Sequence, residues 1–142
     1  MKQFPAASLA YLATPFSLHK QGLHAAFIEA VRISAALLKA GIKNYSPIAH
    51  TYGLCIHGEL DPLDTRIWYP LNDEMLKRCD VLIVARMDGW KDSVGIAREI
   101  KFFRRAERPI YSLDPGTLTL ARDVEGDKFE VVWIGDSCDG NV

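Results

Sequence analysis

Three observations predict an α/β fold built on a mainly parallel sheet with helices on both faces. Asp80 to Ala85 (D-V-L-I-V-A) is an unbroken apolar run, the pattern of a strand covered on both sides. Around it, stretches with strand and with helix periodicity alternate along the chain, the order from which parallel sheets are made. The 142 residues, 49% apolar and 25% charged, suit one domain over 1–142 with a single core.

Ser8 to Ala13 (S-L-A-Y-L-A) reads as a buried first strand, ended by Thr14-Pro15. From about His24 to Ala40, Phe27, Val31, Ala35 and Leu38 recur at three- and four-residue steps, which predicts an amphipathic helix, closed by Gly41. Lys43 to Ile48 reads as the second strand, stopped near Pro47. Residues 49–61 hold His50, Tyr52, Gly53, His57 and Gly58 with no period and read as a loop. Pro62 can open a helix whose face, Trp68, Leu71, Met75 and Leu76, runs to about Arg78. Asp80 to Ala85 is the third strand. Met87 to Asp92 is a turn, and Ser93 is the N-cap of a helix over Val94 to Arg105, with Ile96, Ile100 and Phe103 inward. Pro109 to Ser112 is a fourth strand, 114–127 irregular chain, and Glu130 to Ile134 a fifth strand. Gly135 to Val142 is a polar tail expected to be loose.

Composition narrows the function classes. Net charge is −1 with the signs mixed, so a nucleic acid polymer is not an expected partner. No apolar run approaches the roughly 20 residues of a membrane span. The first residues lack the apolar stretch of an export signal, so the expected setting is the cytoplasm. Cys55, Cys79 and Cys138 are far apart with no C-x-x-C spacing, which predicts free thiols and no zinc cage; no metal is implied and no cofactor is expected. Arg104, Arg105 and Arg108 read either as the cationic end of a helix or as a phosphate patch.

In a sheet of this kind ligands bind beyond the carboxyl ends of the strands, where the strand order reverses. That points to Thr14-Pro15-Phe16 and to Met87-Asp88-Gly89-Trp90. The segment Asp88 to Glu99 (D-G-W-K-D-S-V-G-I-A-R-E) carries three carboxylates across a turn and the helix it opens. Asp92 and Glu99, seven residues apart, would share a helix face. Ser93 and the free N–H groups of the first turn form a candidate anion site, and Gly95 there leaves room for close approach of a ligand. By residue type alone, capping chemistry and a solvated glutamate fit the same segment.

Four segments resemble the nucleoside 2-deoxyribosyltransferase-like superfamily: Y-L-A-T-P-F-S at Tyr11 to Ser17, S-P-I-A-H at Ser46 to His50, I-W-Y-P-L-N-D at Ile67 to Asp73, and D-G-W-K-D-S-V-G-I-A-R-E-I at Asp88 to Ile100. The second and fourth are similar to an uncharacterised bacterial and phage branch. The resemblance implies a flavodoxin-like three-layer sandwich with a five-stranded, mainly parallel sheet. It implies that Glu99, the glutamate of G-x-x-x-E, is the nucleophile that forms a glycosyl-enzyme, and that Tyr11 orients it. Ser93 matches the serine that relatives acting on nucleoside monophosphates place at the phosphate. The implied activity is cleavage or exchange of the N-glycosidic bond of a (deoxy)nucleoside or its 5′-monophosphate, by a homodimer or larger homo-oligomer.

Within that chemistry a second group must help the base leave; Asp88 and Asp92 are the expected candidates, with Asp88 on the base side. Thr14, Pro15, Phe16, His50, Gly89, Trp90, Ser93 and Gly95 are the expected substrate contacts. Trp68 and Trp90 could stack on a base or pack in the core. Asp73 resembles the acid that precedes the third strand in relatives, with a structural or a catalytic role. A nucleotide-binding sensor without turnover and an interaction module are the competing functions. A flavin site is disfavoured, because Thr14 to His19 lacks the hydroxyl and glycine run of a phosphate cradle.

Overall fold

The chain folds as an α/β three-layer sandwich of the flavodoxin-like type, here in a computed structural model that describes residues 2–5, 7–125 and 128–133. Seven strands, β1 (Lys2–Gln3), β2 (Ala10–Ala13), β3 (Asn44–Tyr45), β4 (Val81–Ala85), β5 (Ile110–Leu113), β6 (Leu120–Glu125) and β7 (Lys128–Trp133), form one sheet in the order β1-β7-β6-β5-β4-β2-β3. The helices are α1 (Leu23–Lys39), α2 (Pro47–Gly58), α3 (Thr65–Arg78) and α4 (Val94–Arg105). Neighbours from β3 through β2 and β4 to β5 run parallel, with Ala10 opposite Val81 and Leu82 opposite Ile110. β6 is antiparallel to both β5 and β7, and β1 adds to β7 in parallel.

Alternation along the strands sends successive side chains to opposite faces. Ala10, Leu12, Val81, Ile83 and Leu113 meet Ile33 and Leu37 of α1 on one face. Tyr11, Ala13, Leu82, Val84 and Ile110 meet Leu76 of α3 and Ile96 and Phe103 of α4 on the other. The inward residues of the central strands are essentially inaccessible. Each large one contributes roughly 1.5–3 kcal/mol of burial, which fixes the register.

Where five strands are expected, the described residues form seven. Residues 114–127, read as irregular, contain β6, whose L-A-R-D-V-E sequence carries too many charges to read as a core strand. The β1 segment is too short for any period to show. Five of the seven, β3-β2-β4-β5-β6, keep the second-first-third-fourth-fifth order of the flavodoxin-like fold. Ile134 and the tail 135–142, with Cys138, lie outside the described residues; Cys55 and Cys79 are free thiols.

Three helices differ from their sequence reading. In α1 the buried stripe is Ala26, Ala30, Ile33 and Leu37, while Val31 and Leu38 are 37% and 56% exposed. Both stripes have helical spacing. The alanines win the sheet side because they let the helix approach closely, and Phe27 of the other stripe packs on Tyr52 of α2, ring centres 4.9 Å apart. Residues 47–58, read as the end of a strand and a loop, are α2. The strand stops at Tyr45, Ser46 caps the helix by accepting the Ala49 N–H at 3.2 Å, and Pro47 takes the first helical position. Helix α3 begins at Thr65, not at Pro62, because Asp64 supplies the cap to the Arg66 N–H at 3.1 Å. Helix α4 forms as read: Ser93 accepts the Ile96 N–H at 3.2 Å, and Ile96 and Phe103 are buried. Among the described residues no helix is long and apolar enough to cross a membrane.

Candidate functional site

The connection leaving β2 leads to β3 and the one leaving β4 leads to β5, on opposite sides. The reversal opens a crevice at the carboxyl end of β2. A cleft of about 440 Å³ lies there, within the size range of small-molecule sites. Its base is Tyr11 to Thr14 with Phe16 and Ser17; α2 lends Pro47, Ile48 and Thr51. Pro62, Leu63, Thr65, Trp68, Tyr69 and Asn72 form the α3 wall, and Ser93, Val94, Gly95, Arg98 and Glu99 of α4 face it.

Glu99 is enclosed by this wall, and its Oε2 is buried with no hydrogen-bond partner. Burial pushes its carboxyl up to about 8, against the opposing pull of the Arg98 guanidinium and of a hydrogen bond from the Tyr11 hydroxyl. Burial, and then the neighbouring Glu99, hold the Tyr11 hydroxyl far above the ordinary tyrosine range, so it stays a donor. The α4 macrodipole does not keep Glu99 ionised, because it fades beyond the first turn and Glu99 stands in the second.

Arg98 is held from two sides. Its Nη2 reaches both carboxylate oxygens of Asp73, at 2.6 and 2.7 Å, and its guanidinium lies 4.0 Å from the centre of the Tyr69 ring. The ion pair raises the already high pKa of Arg98, chiefly through the Asp73 hydrogen bond. Ser93 uses its oxygen as the α4 cap and keeps an O–H to donate. A methyl group at Gly95 would sit 3.7 Å from Glu99 Oε1 and 3.8 Å from Ser93 Oγ, so the missing side chain keeps the space between them open. Four polar side-chain atoms among the described residues are buried without a partner, and three of them, Thr14 Oγ1, Asn72 Oδ1 and Glu99 Oε2, belong to this one lining. Among the described residues no group of three His, Cys, Asp or Glu is placed to hold a metal ion.

Of the residues picked from sequence, the cleft brings together Glu99, Tyr11, Thr14, Phe16, Ser93 and Gly95. The others stand elsewhere. Pro15 is buried beside the cleft and does not line it. His50 is an exposed residue of α2, its ring 6.1 Å from that of Tyr45. Asp88 has a 78% exposed side chain, 3.9 Å from Lys20. Asp92 is exposed in a 3-10 turn (Trp90–Asp92) and shares no face with Glu99, because the extended Ser93 breaks the helical phase between them. Gly89 adopts φ 88°, with Leu18 O 3.3 Å from where a side chain would begin, so it joins two loops. Trp90 packs against the core with the Arg86 and Lys91 cations 5.2 and 5.8 Å from its ring. Trp68 does line the cleft, its Nε1 donating to Asp61 O at 2.8 Å.

Residues 8–114 match the family model DUF1937, a domain of unknown function. The chain belongs to the DUF1937 family. No curated protein matches it in sequence. Every residue of the cleft, from Tyr11 to Glu99, lies inside the DUF1937 match, and β6 and β7 lie beyond it. Sequence reading missed Asn72, Tyr69 and Arg98 of this DUF1937 cleft. Asn72 and Tyr69 sit in the I-W-Y-P-L-N-D segment and Arg98 precedes Glu99, but only the α3–α4 pairing reveals which of them face the ligand space.

Proposed function

We propose that this domain cleaves or exchanges the N-glycosidic bond of a (deoxy)nucleoside or nucleoside 5′-monophosphate through Glu99. One observation carries the reading: an enclosed carboxyl with an unpartnered oxygen, steadied by a tyrosine, at the wall of a nucleoside-sized cleft at the topological switch. The resemblance of Asp88 to Ile100 to the transferase-like superfamily supplies the reaction class.

A Glu99 oxygen bonds to the anomeric carbon as the bond from that carbon to the base nitrogen breaks. The electron pair leaves with the base, which takes up a proton. Water, or a nitrogen of a second base, then attacks the same carbon, loses a proton and frees the carboxylate. The first acceptor gives hydrolysis and the second gives transfer. Tyr11 holds the carboxylate during both halves. A 5′-phosphate would be met by the Ser93 hydroxyl and the first N–H groups of α4. Asp88 and Asp92 are too exposed to act on the leaving base, so its proton comes from solvent or from the cleft itself.

Base release from a panel of nucleosides and 5′-monophosphates, by the wild type and Glu99→Gln, tests the reading. The variant is expected to lose about a thousandfold or more in kcat/KM while ligand binding persists. Binding without turnover in both proteins would replace the reading with a nucleotide sensor. The pH profile assigns the role: kcat/KM rising through about 8 fits a nucleophile that must ionise. A fall across the same range would make Glu99 a general acid.

Self-association and a cytoplasmic setting belong to the same proposal. Leu54 and Ile56 on α2, and Leu63 and Val94 at the cleft, are exposed apolar side chains that a second copy would cover. A monomeric peak in light scattering at micromolar concentration would remove that part.

A further inference from the structure

The chemistry at Glu99 leaves Asn72 unexplained. Its Oδ1 is shut from solvent and has no partner, a destabilising state unless a ligand completes it. Asp73, its neighbour in sequence, is turned onto Arg98 at 2.6 Å, and that guanidinium is spread over Tyr69. The charges on this side of the cleft are therefore neutralised among themselves. Trp68 has its own N–H bonded to Asp61 O. What α3 still offers the cleft is the rim of the Trp68 ring, 8% exposed, and, one helical turn on, the amide of Asn72. A planar heterocycle seated in the cleft can bring a polar edge to that amide. The terminal torsion of asparagine is broad and soft, so a small turn presents the Oδ1 to a bound ring.

We propose that Asn72 is a specificity-determining residue that takes a hydrogen bond from an N–H on the edge of the departing base, so that bases carrying such a donor are the ones this cleft selects. The inference rests on the glycosidic reading of Glu99.

The test is kcat/KM for base release on three pairs of nucleosides, one member of each lacking an N–H: inosine and 1-methylinosine, adenosine and purine riboside, thymidine and 3-methylthymidine. Wild type, Asn72→Leu and Asn72→Asp are compared, with unliganded melting temperatures alongside. The wild type is expected to favour the N–H-bearing member of at least one pair by about tenfold, the value of one hydrogen bond. Asn72→Leu should level that pair and melt no lower than the wild type, since it removes an unpartnered carbonyl. Asn72→Asp, which keeps the acceptor, should retain the preference. Equal rates within every pair for the wild type would overturn the inference, as would a preference that survives in Asn72→Leu. Base release without discrimination removes Asn72 alone; no base release from any nucleoside removes the Glu99 reading and this inference with it.

Discussion

Between α1 and the sheet the core is mostly hydrocarbon, Leu12, Ile33, Leu37, Val81, Ile83 and Leu113, with Tyr111, its hydroxyl raised by burial, tilted on Phe4 at 4.9 Å. Beneath α3 and α4 the sheet also buries Tyr11, Cys79 and a flank of Tyr45, and there it runs into the wall that holds Glu99. Cys79 is pushed up to about 11, first by burial and then by Asp80, and burial raises Tyr45 as well. Each of these groups would be better solvated in the unfolded chain. The first face holds the fold together; the second gives up stability by burying several ionisable groups. Removing the buried Glu99 charge should therefore stabilise the fold, where removing hydrocarbon from the first face weakens it.

The largest effect is expected at Glu99. Its carboxyl has an ordinary value of 4.5 and a folded value of about 8. Between those limits the folded state keeps a proton that the unfolded state has released, so stability falls as pH rises across the window. Glu99→Gln removes that slope. Thermal melts from pH 4 to 9 should show the variant gaining on the wild type as pH rises, with a ceiling of about 5 kcal/mol above pH 8. Parallel curves would mean that the carboxyl is hydrated in the folded state.

Leu37→Ala strikes the other face. It should cost about 2–5 kcal/mol in urea or thermal unfolding at every pH, because the cavity it leaves contains nothing that titrates. Tyr11→Phe is smaller, about 1–2 kcal/mol, since one buried hydrogen bond is lost. Its clearer signature is the Glu99 titration, which should move above about 8 once the donor that favours the carboxylate is gone. Carbon-detected NMR of the carboxyl measures that shift. Gly95→Ala is the smallest. It should stabilise α4 by up to about 1 kcal/mol while slowing turnover, because the new methyl enters the space between Ser93 and Glu99.

The parts of the fold legible in the sequence are those where one local signal suffices. V-L-I-V-A reads as a covered strand, and Ser93 three residues before a buried isoleucine reads as a cap. Helix α2 escaped notice because it sits at the edge, packs on α1 through Tyr52 and exposes Leu54 and Ile56, so no clean stripe marks it. Ser46-Pro47 was the available signal, an N-cap followed by a first-turn proline. In the site, Glu99, Tyr11, Ser93, Asn72 and Arg98 all stand in motif-bearing segments. Asn72 and Arg98 do not announce themselves, since an asparagine in a helix and an arginine beside a glutamate are ordinary until the crossover brings α3 against α4. Asp88 and Asp92 show the converse: carboxylates in a motif-bearing segment that the structure leaves exposed, Asp92 at the end of the 3-10 turn.

The edge strand β1 places Lys2 opposite Val132 and Gln3 opposite Trp133. On a ribosome those partners are made 130 residues apart. By the time β7 emerges, β2 to β5, all four helices and every residue of the cleft have already left the tunnel. The crevice can thus assemble on the parallel half of the sheet as the chain is made, while β1 waits for β7 to close the far edge.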